Sequence, residues 1–130
     1  MTISINDGKA TPVAHVFSQD AQQNGPDPSE FVNRSNANGP SFWERLRGWV
    51  TLATKASQPH VVKVKMTRPI PGMISGIPAV LGKHEAILTL LIDQSVAVDA
   101  DVKDTVAMMS NLLADTTIRG QMGTFAPLLK

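Results

Sequence analysis

Residues 42–68 read FWERLRGWVTLATKASQPHVVKVKMTR, and the spacing inside this stretch sets the architecture. Its second half is clear. Val62, Val64 and Met66 point one way, while Val61, Lys63, Lys65 and Thr67 point the other, the two-residue period of a strand with one buried face. The first half is long enough for a helix, and residues 44–52 tolerate one. Yet Arg45, Arg47, Trp49 and Thr51 alternate with Leu46, Gly48, Val50 and Leu52, which favours a second strand. A short turn at Ser57-Gln58-Pro59 pairs the two runs as an antiparallel hairpin. Both apolar sides must cover the same core, so the polar sides coincide. One sheet face is therefore expected to carry Arg45, Arg47, Lys63 and Lys65, with Trp49 and Thr51 beside them.

The charge distribution agrees. Residues 44–84 hold seven basic groups (Arg45, Arg47, Lys55, Lys63, Lys65, Arg68, Lys83) against the single acid Glu44, although the whole chain is only +1. The flanking regions are both net acidic, so a basic surface is expected in the middle of the chain. Toward the amino terminus, Thr2-Ile3-Ser4-Ile5 alternates, Asn6-Asp7-Gly8 offers a tight turn, and Val13, Val16 and Phe17 form a returning strand with Pro12 at an edge or bulge. Residues 19–28 read as a loop, residues 29–34 as a short strand around Phe31 and Val32, and residues 36–40 as a breaker cluster.

Toward the carboxyl terminus, residues 69–82 (PIPGMISGIPAVLG) contain no charge, and three prolines and three glycines predict a loop. Ile70, Met73, Ile74 and Ile77 need cover, either from the loop's own core or from another subunit. Residues 83–92 (KHEAILTLLI) read as a strand, with a short helix as the competing assignment. Residues 101–115 form the best helix: Asp101 or Asp99 can cap it, Asp104 suits its first turn, and Val102, Val106, Met109, Leu112 and Leu113 make an apolar stripe, with Met108 beside it. This stripe reads as packing surface. A second short helix is expected between Thr116 and Phe125.

At 130 residues, 42% hydrophobic and 18% charged, the chain is expected to be one soluble globular domain. No apolar run approaches the roughly 18 residues of a spanning helix, and the first residues do not resemble a signal peptide. With no cysteine, thiol catalysis, disulfides and cysteine-held metals are excluded. His15, His60 and His84 have no paired spacing, no nucleophile or phosphate-loop motif occurs, and the acids at 99, 101 and 104 are explained by the helix start. No catalytic residue, metal site or cofactor is expected. One modest helix cannot cover the apolar face of a five- or six-stranded sheet, so a second copy is expected to supply the cover.

Taken together, the TISINDGKATPVAHVF hairpin, the VVKVKM strand, the loop ending IPAV, the AILTLLI strand and the terminal helix with AMMSNLL resemble the coat proteins of the small single-stranded RNA bacteriophages, the leviviruses. The resemblance spans nearly the whole chain and rests on architecture and these short stretches. It implies an α+β fold: an N-terminal β-hairpin (residues 1–18), a five-stranded antiparallel sheet (29–96) and two C-terminal α-helices (101–125), in one domain of residues 1–130. It further implies an interlocked homodimer with a ten-stranded sheet, and self-assembly into an icosahedral T=3 virion shell in the bacterial cytoplasm. The inner sheet face would package single-stranded RNA and bind a stem-loop that represses replicase translation.

By the same resemblance, the RNA-facing residues are Arg45, Arg47, Trp49, Thr51, Val61, Lys63, Lys65, Glu85, Ile87 and Thr89. The inter-subunit loop would use Ile70, Met73, Ile74, Gly76, Ile77 and Pro78. The cations also stand on their own chemistry, since lysine and arginine neutralise phosphates and release counterions. Trp49 can stack on an unpaired base or fill space in the sheet. Where the family's adenine pocket uses small hydroxyl side chains, this chain has Arg47, Trp49 and Val61, and Glu85 repels phosphate. These departures favour general RNA packaging over recognition of that hairpin type. The rival readings are a dimeric RNA-binding translational regulator that builds no shell, and an α+β enzyme or ligand-binding protein with a pocket between sheet and helix.

Overall fold

The computed structural model describes residues 1–96 and 98–125, and the chain divides into two compact units, Met1–Leu91 and Ile92–Lys130. The first is built on one antiparallel sheet whose six strands follow chain order: β1 (Thr2–Asn6), β2 (Ala14–Ala21), β3 (Ser29–Asn33), β4 (Glu44–Thr51), β5 (His60–Ile74) and β6 (Ile77–Ile92). The second carries α1 (Asp99–Ala114) and α2 (Thr116–Gly123). The fold is α+β, as expected. The amino-terminal hairpin is continuous with the sheet, because β2 pairs with β3 through Ser18↔Val32 and Gln19↔Phe31 before a bulge near Ala21.

Both ambiguous stretches are strands. β4 pairs with β5 in the register Arg45↔Thr67, Leu46↔Met66, Arg47↔Lys65, Gly48↔Val64, Trp49↔Lys63, Val50↔Val62 and Thr51↔Val61. Directly opposite residues share a face, so Leu46, Met66, Val50 and Val62 lie on one side and the basic residues on the other. The β4–β5 connection is longer than a tight turn. It is closed by Ala53, whose N–H donates to His60 Nδ1 at 3.0 Å.

Three local expectations are corrected. Residues 69–82 are mostly not loop: β5 runs to Ile74, β6 starts at Ile77, and only Ser75 and Gly76 turn, at φ +51° and +80°. Positive φ at both central residues is the geometry that matches strand twist in a two-residue hairpin. The prolines do not break β5, since Pro69 and Pro71 follow its last pair with β4 at Thr67, where a missing N–H costs little. Within this hairpin Gly72 faces Leu81, whose Cδ1 would lie 2.3 Å from an added Cβ.

The second correction is at Asn6-Asp7-Gly8, which makes no tight turn. Residues 7–13 form a longer loop organised by the Asp7 carboxylate, which accepts N–H bonds from Val13 (3.0 Å) and Lys9 (3.3 Å). A side chain that satisfies two backbone donors can replace a left-handed turn. The third is at α1, where Val98 occupies the cap position without a side-chain bond. Asp99 and Asp101 lie inside the first turn, where they favour the positive end of the helix dipole, and Asp104 falls beyond it. Asp115 caps α2, accepting from Thr117 and Ile118 N–H at 2.8 and 3.0 Å.

The buried apolar side chains among the described residues are few: Phe17, Val32, Leu46 and Ile118. One polar cluster fastens the strands together. The Glu44 carboxylate receives His15 Nδ1 at 2.6 Å, Asn33 Nδ2 at 3.0 Å and Arg68 Nε at 3.1 Å, joining β2, β3, β4 and β5. On α1, Val106, Met109, Leu112 and Leu113 are 40–43% exposed.

Candidate nucleic-acid interface

Seven of the RNA-facing candidates fall on one surface by backbone pairing alone. Arg45, Arg47, Trp49 and Thr51 of β4 stand opposite Thr67, Lys65, Lys63 and Val61 of β5. Glu85 of β6 joins them through Lys65, whose Nζ lies 3.0 Å from Glu85 Oε1. Strand alternation then puts Ile87 and Thr89 on the same face. The other group, Ile70, Met73, Ile74, Gly76, Ile77 and Pro78, sits together in the β5–β6 hairpin, beyond the reach of β4.

The pairing also brings in a residue that alternation within short segments could not assign. Glu30 stands opposite Arg47 in the β3–β4 ladder, and its Oε1 accepts from Arg45 (2.8 Å) and Arg47 (3.3 Å). Lys83 lies 3.2 Å from Glu85. β3 has only five residues, too few to choose a face by period, and the register supplies the assignment. Lys83 stands two residues before Glu85 on β6, so the same alternation that places Ile87 and Thr89 also places it on this face.

Electrostatically, the described residues of β3–β6 put five cations (Arg45, Arg47, Lys63, Lys65, Lys83) on this face against two carboxylates, Glu30 and Glu85. Each carboxylate is shared by two cations, so the surface stays net positive. The hydrogen bond from Lys65, then that from Lys83, holds the Glu85 carboxyl below the usual glutamate range, outweighing its partial desolvation. Lys63 has no carboxylate of this kind; its ammonium lies 5.6 Å from the Trp49 ring centroid, a cation–π contact across the ladder. A surface of this composition can neutralise phosphates and offer an aromatic platform to a base.

Among the described residues, no group of three or more histidine, cysteine or acidic side chains is placed to hold a metal ion, and no helix is long and apolar enough to cross a membrane.

Comparison of the backbone with solved structures gives high similarity over almost the full length. The virus-like particle of bacteriophage NT-214 superposes with a TM-score of 0.82 at 20% identity, covering 97% of this chain and 96% of that one. The fold is that of the levi-like phage coat proteins. The particle of Beihai levi-like virus 21 gives a TM-score of 0.80 at 15% identity, over 99% and 97% of the two chains. The capsid protein of bacteriophage GA gives 0.73 at 15% identity, also over 99% and 97%. No protein-family model and no curated protein sequence matches the chain. The levi-like coat-protein fold thus persists here with about four in five side chains changed, so its backbone likeness does not extend to the roles of particular residues.

Proposed function

We propose that this chain is the coat protein of a small RNA phage, a single coat-protein domain that dimerises, closes into an icosahedral T=3 shell, and lines that shell with single-stranded RNA. The observation that carries the reading is the β4–β5 register, which gathers Arg45, Arg47, Lys63 and Lys65 with Trp49 on one face of a fold found in virus-like particles. The shell assembles in the bacterial cytoplasm, and the chain's station is the virion. Repression of replicase translation through an RNA stem-loop is a further role the same face would serve.

Dimerisation is supported by what a single chain leaves open. β6 is the outermost strand, it is 16 residues long, and Ile87 and Leu91 are 56% and 64% exposed. A long apolar edge strand is a template for pairing with another strand, and a second copy is the partner that also covers the α1 stripe. Shell contacts are assigned to the β5–β6 hairpin, where Met73, Ile74 and Ile77 are exposed.

The test is size-exclusion chromatography and negative-stain microscopy of the chain expressed alone. Uniform particles at the void with a nucleic-acid absorbance ratio are the expected result. Dimers that stay dimers after RNA is added would support the non-assembling regulator instead, and monomers would overturn both. Charged substitutions in the hairpin, such as Ile74→Lys with Ile77→Glu, are expected to leave dimers that no longer form shells. Intact shells from that variant would remove the hairpin's assigned role.

A further inference from the structure

At one end of the basic face, the approach to β4 and the strands β5 and β6 border an open cleft of about 570 Å³, lined by Ser41, Trp43, Arg45, Thr67, Pro69 and Lys83 among others. We propose that this cleft binds one unpaired nucleotide of single-stranded RNA, its base against the Trp43 indole and its phosphate between Arg45 and Lys83. The proposal rests on the reading of this face as an RNA surface and adds to it a discrete base site. The cleft is lined by none of Trp49, Thr51, Val61 and Lys63, which occupy later positions of the ladder.

Three observations carry it. The volume lies in the range of small-ligand sites, roughly 300–1,000 Å³, room enough for a base with its ribose. The lining combines an aromatic ring, two cations and two hydroxyls, the chemistry by which splayed-out bases are held. The ring is also fixed in advance: Trp43 Nε1 donates to the Asn36 carbonyl at 3.0 Å, and the Arg34 guanidinium carbon sits 5.2 Å from the ring centroid. A pre-ordered platform loses little side-chain entropy on binding. The cations retain charge for a phosphate, because Glu30 is divided between Arg45 and Arg47 and Glu85 between Lys65 and Lys83. The side chains of Arg45 and Lys83 are 32% and 65% exposed, open to an incoming strand.

The test compares two fluorescein-labelled strands of equal length by anisotropy with the full-length chain: oligoadenylate, and a ribose-phosphate strand without bases. Trp43→Leu is expected to lower the preference for the base-bearing strand about tenfold, the scale of one lost stacking interaction, while affinity for the abasic strand stays within about twofold. Trp43→Phe, which keeps an aromatic face, is expected to retain most of the preference. Ser41→Leu, which puts an aliphatic side chain without a stacking face into the cleft and leaves the indole in place, is expected to lose it, so the proposal stays open to refutation even where Trp43→Leu folds poorly. An unchanged preference in Trp43→Leu and Ser41→Leu overturns the base site while leaving the RNA surface intact. Failure of both strands to bind the wild-type chain at low salt overturns the RNA surface itself. Loss of shells with unaltered RNA affinity reassigns the cleft to a protein contact and overturns the proposal.

Discussion

Glu85 is the residue whose chemistry runs against its surroundings, a carboxylate on a face built of cations. Its hydrogen bonds to Lys65 and Lys83 keep it ionised, so it repels phosphate and occupies two lysines at once. Glu85→Gln removes the repulsion and frees both ammonium groups. Affinity for single-stranded RNA is expected to rise several-fold, and the plot of log affinity against log salt to steepen by about 0.7 for each additional phosphate neutralised. Filter binding across a salt series measures both. Asp7 carries a different prediction. The N–H of Val13 in particular, opposed by desolvation and helped by Lys9, holds its carboxyl down to about 2 from the ordinary 3.8. A depressed carboxyl contributes its stability in full above about pH 4 and loses it as pH falls through the folded value. Acid titration of wild type and Asp7→Asn, followed by circular dichroism, is expected to show a loss between about pH 4 and 2 that the variant lacks in part. At this scale the alternation of residues 45–51 and 61–67 was fully readable. Glu30 was not, because its face depends on which residue of β4 it meets.

Besides the backbone ladders and a small core, one carboxylate ties four strands together. Glu44 sits at the first position of β4 and receives His15 from β2, Asn33 from β3 and Arg68 from β5. Glu44→Ala leaves the buried Asn33 and its two neighbours without that acceptor, and is expected to cost about 2 kcal/mol. Urea denaturation gives the difference directly. An unchanged midpoint would mean the three donors find other partners. The element hardest to read was the β5–β6 hairpin. Three prolines and three glycines in 14 residues argue for a loop by every local rule. The strand survives because Pro69 and Pro71 fall where β4 has ended, and the turn uses only Ser75 and Gly76. Neither fact is local, since one depends on the length of a different strand and the other on which glycine of several takes positive φ. The helix caps failed for a simpler reason: α1 starts two residues early, which turns two candidate caps into first-turn acids.

For the whole molecule the balance of buried and open apolar surface decides behaviour. Large hydrophobic side chains left exposed, among them Val50, Leu52, Ile74, Ile87, Leu91 and Met108, outnumber the buried ones among the described residues. A chain of this size with so small a core is marginal alone. Where cover comes from a second copy, stability follows mass action, so the thermal midpoint is expected to rise with protein concentration under conditions that prevent shell closure. A midpoint constant over a roughly hundredfold dilution would show that the single chain suffices. That a second copy supplies such cover is an expectation drawn from one helix against many strands. Where that cover would fall was not legible, since it depends on which side chains of the long strand β6 stay exposed.

The aromatic side chains draw a last consequence from the basic face. The chain has two tryptophans and no tyrosine, and Trp49 stands in the β4–β5 ladder while Trp43 lines the cleft at its end. Every photon this protein emits beyond the phenylalanine band therefore originates on one surface. The helices, the amino-terminal hairpin and the outer strand carry no tryptophan or tyrosine. A ligand that covers the basic face would dim the whole tryptophan emission at once.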